Sequence, residues 1–138
     1  MHMLKILKMQ SAHWQSMRRH VIAQAPLEAC GLLAGKQNVV EAVLRVRNAE
    51  KSPVRFRMDP QEQLNAFEWI ETNGLDLVGI YHSHPSGPEI ASATDIAKAT
   101  YEAVHIIWSR SRRTWKARGF WIEAGEATEV NLQIVNKQ

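Results

Sequence analysis

His82 and His84 stand two residues apart just ahead of Pro85, and Ser92 and Asp95 follow shortly after. On an extended strand, residues two apart project to one side, so both imidazoles can face one ion while Ser83 points away. On a helix, residues three apart share a face, so Ser92 and Asp95 can look towards the same point. Two imidazoles and one carboxylate, with no thiolate, suit zinc in a catalytic site that leaves the fourth tetrahedral position to water. A water whose pKa is lowered by such an ion is a nucleophile near neutral pH, which makes hydrolysis the chemistry this spacing could perform.

Each fragment has a plainer reading. Ser-x-x-Asp is also a helix capping box, and a His-x-His on a strand is more often incidental than a ligand pair. The combination is rarer: His-x-His-Pro, six residues and then Ser-x-x-Asp should arise by chance in about one chain of this length in 10^5. A hydrolytic metal site also needs a base beside its water, and Glu28, one of 14 acidic residues, sits at the mouth of an apolar strand pair where it could serve. Spacing alone does not tie it to the histidines. Cys30 shares the face of Glu28 if the chain is extended there; otherwise it is a small buried apolar residue beside Gly31. His2, His13, His20 and His105 have no partner at ligand spacing and read as surface or helix-face residues.

The elements that must position these groups alternate in type. Residues 11–25 carry Trp14, Met17, Val21 and Ile22 at helical spacing and stop before Pro26. Residues 29–46 form two strand-like runs around a Gly35-to-Asn38 turn, with Glu28 at the entrance of this hairpin. Asp59-Pro60 opens a second helix over 60–73, with Leu64, Phe67 and Ile70 on one face and Asn73-Gly74 closing it. Residues 75–84 are apolar until the last few, as expected of a buried central strand that delivers polar groups at its tip. A loop over 85–91, a helix from Ser92 to about Val104, and strands near 104–109, 115–123 and 127–134 complete the α/β pattern.

With 138 residues, 45% of them hydrophobic and 22% charged, residues 1–138 are expected to form one globular domain. No apolar run approaches the roughly 18 residues of a membrane span, and residues 1–10 do not read as a secretory signal. The single cysteine excludes an internal disulfide and a paired-cysteine zinc site, and it fits a reducing, cytoplasmic compartment. The net charge of +3 gathers at Arg110, Arg112, Arg113, Lys116 and Arg118, which could meet phosphate or an acidic partner or form a solvated turn. No stacking platform or nucleic-acid motif accompanies these charges, so the solvated turn is favoured and nucleic acid is not an expected partner.

The constellation resembles the JAMM, or MPN+, metallopeptidase family, whose pattern is an upstream Glu, His-x-His-Pro, a short loop and Ser-x-x-Asp. The segment PLEACGLLAG resembles the one in which prokaryotic members carry their glutamate, and the likeness runs from about Met17 to Val130. It implies zinc held by His82, His84 and Asp95, Glu28 as general acid/base and Ser92 as oxyanion donor. It also implies an α/β fold with a curved mixed β-sheet flanked by helices, in a cytidine-deaminase-like three-layer arrangement. Eukaryotic deubiquitinases of the family carry ubiquitin-gripping insertions, whereas the connections here are short, as in the short prokaryotic members. Those imply a peptidase or isopeptidase cutting after the Gly-Gly tail of a ubiquitin-like or sulfur-carrier protein. The oligomeric state is left open, a homodimer included.

Two other classes of function compete. Members of the same fold that lack the metal residues are binding scaffolds, but the intact set of five weighs against a non-catalytic MPN-type module. A zinc deaminase needs His-x-Glu and Pro-Cys-x-x-Cys, which this chain lacks, and a cysteine peptidase built on Cys30 leaves His-x-His-Pro unexplained.

Overall fold

The computed structural model describes residues 5–92, 95–96 and 101–136. Along the chain these form β1 (Ile6–Gln10), α1 (Ser11–Gln24), β2 (Cys30–Lys36), β3 (Val39–Val46), α2 (Pro60–Thr72), β4 (Asp76–His84), β5 (Val104–Ser111), β6 (Thr114–Glu123) and β7 (Glu126–Val135). The β2–β3 hairpin turns where Gln37 takes a positive φ of 54°. α2 starts where the Asp59 side chain accepts the N–H groups of Gln61 and Glu62, with Pro60 in the first turn where no N–H is needed. It ends at Asn73, and Gly74 follows at φ 65°, a left-handed position that glycine takes without strain.

The strands lie in the order β1-β3-β2-β4-β5-β6-β7. β4 is central, antiparallel to β2 and parallel to β5. β1 pairs in parallel with β7 over five residues and meets β3 at Lys8↔Val39, so the mixed sheet curls until both edges share one strand. That short strand was not foreseen, because the alternation of Leu7 and Met9, both buried, covers only five residues.

One core draws on all seven strands and on Met17 and Val21 of α1, which places α1 against the inner face of the curl. On the outer face, Cys30, Leu32, Val46 and Ile80 meet Ala66 of α2, and Ile107 and Phe120 form a further cluster with Ala91. The sheet is therefore curved, mixed and covered by helices on both faces, as the resemblance implies. α2 is rotated from its expected face: Ala66 and Ile70 are its buried residues, whereas Leu64 is exposed. Most of the helix expected over residues 92–104 lies outside the described residues; Ile96 N–H donates to the Ser92 carbonyl at 3.0 Å, while residues 101–103 form a bend and Val104 opens β5.

His20 is not a surface residue. It is 7% exposed and its Nδ1 lies 2.6 Å from the Tyr81 hydroxyl, on the face opposite the paired histidines. Tyr81 fits there because residue 31 is glycine: a Cβ at Gly31 would stand 2.2 Å from the Tyr81 ring. Burial, then the Arg45 charge, lowers the His20 pKa from 6.5 to about 4. Between those values the unfolded chain binds the extra proton, so stability rises with pH across that window and is lost as pH falls through it. His20→Gln, which keeps an acceptor for the Tyr81 hydroxyl, is expected to flatten this slope in urea titrations between pH 4 and 6.5. An unchanged slope would mean that His20 is not the titrating group.

Candidate metal centre

β4 is apolar through its middle and delivers His82, 1% exposed, and His84, 6% exposed, at its end. Both point to the outer face. Ser83 points inward, where its Oγ accepts the Ala29 N–H at 2.8 Å, while its own N–H donates to the Ala29 carbonyl at 3.0 Å. This pair of bonds ties the end of β4 to the residue beside Glu28 and continues the register in which Cys30 faces His82. More than fifty residues of sequence are thus closed into one site by the β2–β4 ladder, a connection that spacing could not supply.

The ligand atoms converge closely. His82 Nε2 and His84 Nε2 are 3.1 Å apart, and the Asp95 oxygens lie 3.2 Å from each. Four-coordinate zinc with ligand bonds of about 2.0–2.1 Å has corners roughly 3.3 Å apart. The two imidazole nitrogens therefore stand at the spacing of two corners of such a tetrahedron, with one Asp95 oxygen at that spacing from each, and the donor set fits zinc. His84 Nδ1 lies 2.8 Å from the Pro88 carbonyl, which places a proton on Nδ1, so that Nε2, hydrogen-bonded to Asp95 here, is the nitrogen that would face an ion. Capping and ligation by Ser-x-x-Asp are compatible here: Asp95 Oδ2 accepts the Ser92 N–H at 2.8 Å and Ser92 Oγ accepts the Asp95 N–H at 3.0 Å. The box orients the Asp95 carboxylate, and Ser92 Oγ, acting as acceptor, keeps its own hydrogen free to donate.

Glu28 is 4% exposed, and its carboxylate offers an oxygen within 4.8 Å of ligand nitrogens on both histidines. Among the described residues that carboxylate takes no hydrogen bond, so it faces the centre uncommitted. Burial outweighs the lowering pull of His84 and, with a smaller push from the Asp95 charge, leaves its pKa raised to about 7. Burial pushes Asp95 upward, but its hydrogen bonds with His82 and His84 outweigh this and hold it well below the usual carboxylate range. Burial lowers the His82 pKa; for His84 burial acts in the same direction but is outweighed by Asp95 and the Pro88 carbonyl, which raise it. A neutral His82, an ionised Asp95 carboxylate and a separate carboxyl group near neutrality are protonation states that suit a hydrolytic centre.

The centre opens into a cleft of about 590 Å³ lined by Glu28, Val54, Phe56, Ser92, Tyr101 and His105 among others. Of these six the sequence points only to Glu28 and Ser92; Phe56 and His105 are two it does not. Phe56 stacks on His82 with ring centroids 4.5 Å apart at 24°, from a segment whose sequence carries no strand or helix periodicity. His105 is buried rather than exposed, and its register partner Ile80 places it on the face of His82; that assignment could have come from the alternation of β5. Cys30 is fully buried and donates to the Val46 carbonyl at 3.4 Å, with its thiol pushed up to about 12, first by burial and then by Glu28 and Glu62. A thiol in that state is no nucleophile. Arg112 and Arg113 form the exposed turn between β5 and β6, Arg110 lies over the Trp115 ring, and Arg118 makes a two-pronged pair with Glu129.

The family description "prokaryotic homologs of the JAB domain" matches residues 10–121. A desampylase of Pyrococcus furiosus is 46% identical over 116 residues, covering 83% of this chain and 81% of that protein. A probable TtuB-protein conjugate cleaving protease of Thermus thermophilus is 36% identical over 119 residues, covering 86% of this chain and 76% of that protein. The solution structure of a Desulfitobacterium hafniense protein superposes with a TM-score of 0.85 at 30% identity, covering 95% of this chain and 94% of that one. Fold and site together define a domain of the JAMM metallopeptidase class. The chain belongs to the family of prokaryotic JAB-domain homologs.

Proposed function

We propose that this chain is a single-domain, cytoplasmic zinc peptidase that hydrolyses the amide or isopeptide bond after the Gly-Gly tail of a ubiquitin-like or sulfur-carrier protein. The observation that carries the reading is a pair of imidazole nitrogens 3.1 Å apart, each 3.2 Å from one oxygen of the Asp95 carboxylate, beside a buried, uncommitted carboxyl group. The substrate class draws support from relatives named for cleaving such conjugates. Among the described residues no helix is long and apolar enough to cross a membrane.

His82, His84 and Asp95 would hold the ion, which when bound supplies Lewis acidity that brings the pKa of water from 15.7 down to about 7. Glu28 takes the proton of the attacking water and hands it to the leaving amine, so one carboxyl group serves as base and then as acid. The Ser92 hydroxyl donates to the oxygen of the scissile carbonyl as charge develops there. Ser92→Ala is expected to lower kcat about 10²–10³-fold, with folding preserved by the Asp95 carboxylate that still caps Ser92 N–H. An unchanged kcat would remove the hydroxyl from the mechanism.

The reading is tested by incubating zinc-loaded protein with a panel of ubiquitin-fold proteins extended past Gly-Gly by a peptide or a lysine isopeptide, with products weighed by mass spectrometry. Release after the second glycine is the expected result. Intact substrates across the panel, with the ion demonstrably bound, would contradict it.

A further inference from the structure

Outside the metal ligands, the most heavily bonded side chain near the site is the buried amide of Asn48, which lies just past β3. Its Nδ2 donates to the Glu28 carbonyl at 3.0 Å and to the Arg55 carbonyl at 2.9 Å, and its Oδ1 accepts the N–H groups of Glu50 and Arg57 at 3.0 Å each. All four hydrogen-bonding positions of the amide are thus filled. An Asx turn needs only the Glu50 bond; the other three reach outside the turn, to groups with no local role.

Those three bonds go to two places that matter. Arg55 and Arg57 flank Phe56, so Asn48 grips Phe56 by the peptide groups on either side, and the Phe56 ring stacks on His82 at 4.5 Å. The remaining bond holds the carbonyl of Glu28, whose own N–H donates at 2.8 Å to the Ser52 carbonyl in the same loop. Ala49 N–H closes the loop onto the Arg57 carbonyl at 2.8 Å. Residues 48–57 are therefore a closed loop wound around one amide, attached by two bonds to the backbone of Glu28 and by a stacked ring to His82.

We propose that Asn48 is a positioning residue that fixes Glu28 relative to His82, so that the carboxyl group and the metal-facing imidazole are held as one rigid body. The proposal rests on the reading of Glu28 as the acid/base group and extends it: the distance between Glu28 and the centre is set by this loop as well as by the β2–β4 ladder. A buried amide with every position satisfied has one low-energy orientation, and losing part of it leaves carbonyls unpaired. Asn48→Asp is the informative variant, because it keeps the acceptor for Glu50 and Arg57 but cannot donate to Glu28 or Arg55. Outer partners that orient a metal site typically contribute about 10–100-fold to activity, and Asn48→Asp is expected to lower kcat by that amount with the ion retained.

The closing experiment has two arms. In the zinc-free protein, the His82 ring protons should be shifted upfield by the stacked Phe56 ring. Asn48→Asp and Phe56→Leu should each return them towards unstacked values, a change that a lower folded fraction alone does not produce. In the wild type, the Asn48 side-chain N–H protons should exchange slowly. Unmoved His82 signals in Asn48→Asp, or rapid Asn48 amide exchange, would overturn the proposal, and the exchange measurement decides the matter even if the variant does not fold. In the zinc-loaded protein, a wild-type kcat in folded Asn48→Asp would also overturn it. Absence of all cleavage by the wild type would sink the peptidase reading, while the zinc-free arm would still test the loop.

Discussion

Glu28→Gln is expected to stop turnover while leaving the ion in place. The substitution preserves shape and keeps a polar group at the site, but an amide can neither take the proton of water nor deliver one to the leaving amine. Because the Glu28 carboxylate takes no hydrogen bond among the described residues, the change breaks no structural bond, and the fold should be undisturbed. General acid–base catalysis contributes about 10²–10⁴-fold, and Glu28 serves in both halves of the reaction, so the upper part of that range is expected. The check is kcat on a Gly-Gly fusion together with zinc content by elemental analysis. Zinc at wild-type content with near-zero turnover is the predicted pair; wild-type turnover would mean that another group is the base.

Asp95→Ala should give the opposite pairing and lose ion and activity together. Its carboxylate is the only anionic group within 3.2 Å of both imidazoles among the described residues, one oxygen facing each. Without it, two imidazoles 3.1 Å apart can still approach a cation but supply no charge to balance it. The loss of affinity should exceed the roughly 10–100-fold that removal of an outer partner costs, so the variant should emerge from desalting without metal. Asp95 also accepts the Ser92 N–H at 2.8 Å, and Asp95→Asn, which retains an oxygen for that bond, separates loss of charge from loss of the cap. Retention of zinc by Asp95→Ala would point to a different third ligand, with Glu28 the nearest carboxylate.

Much of this arrangement was legible because it is local. The period-two placement of His82 and His84 on an apolar run, the Asp59-Pro60 helix start and the hairpin around Gln37 follow from propensity and patterning within a few residues. What sequence could not supply was long-range. Glu28 reaches the centre through strand pairing and through Ser83, whose role is invisible beside its two histidine neighbours. Phe56 belongs to a loop held by side-chain bonds rather than by a repeating backbone pattern, and such a loop leaves no periodic trace. His20 and His105 read as surface or helix-face residues because neither has a partner at ligand spacing; the partner that buries His20, Tyr81, is on another element.

The most direct test of the central claim is X-ray absorption at the zinc edge of the purified protein in solution. A centre made by His82, His84 and Asp95 predicts four light scatterers, two of them imidazoles, at about 2.0–2.1 Å. A sulfur scatterer near about 2.3 Å, which would have to be Cys30, or folded protein that binds no zinc at all, would contradict it.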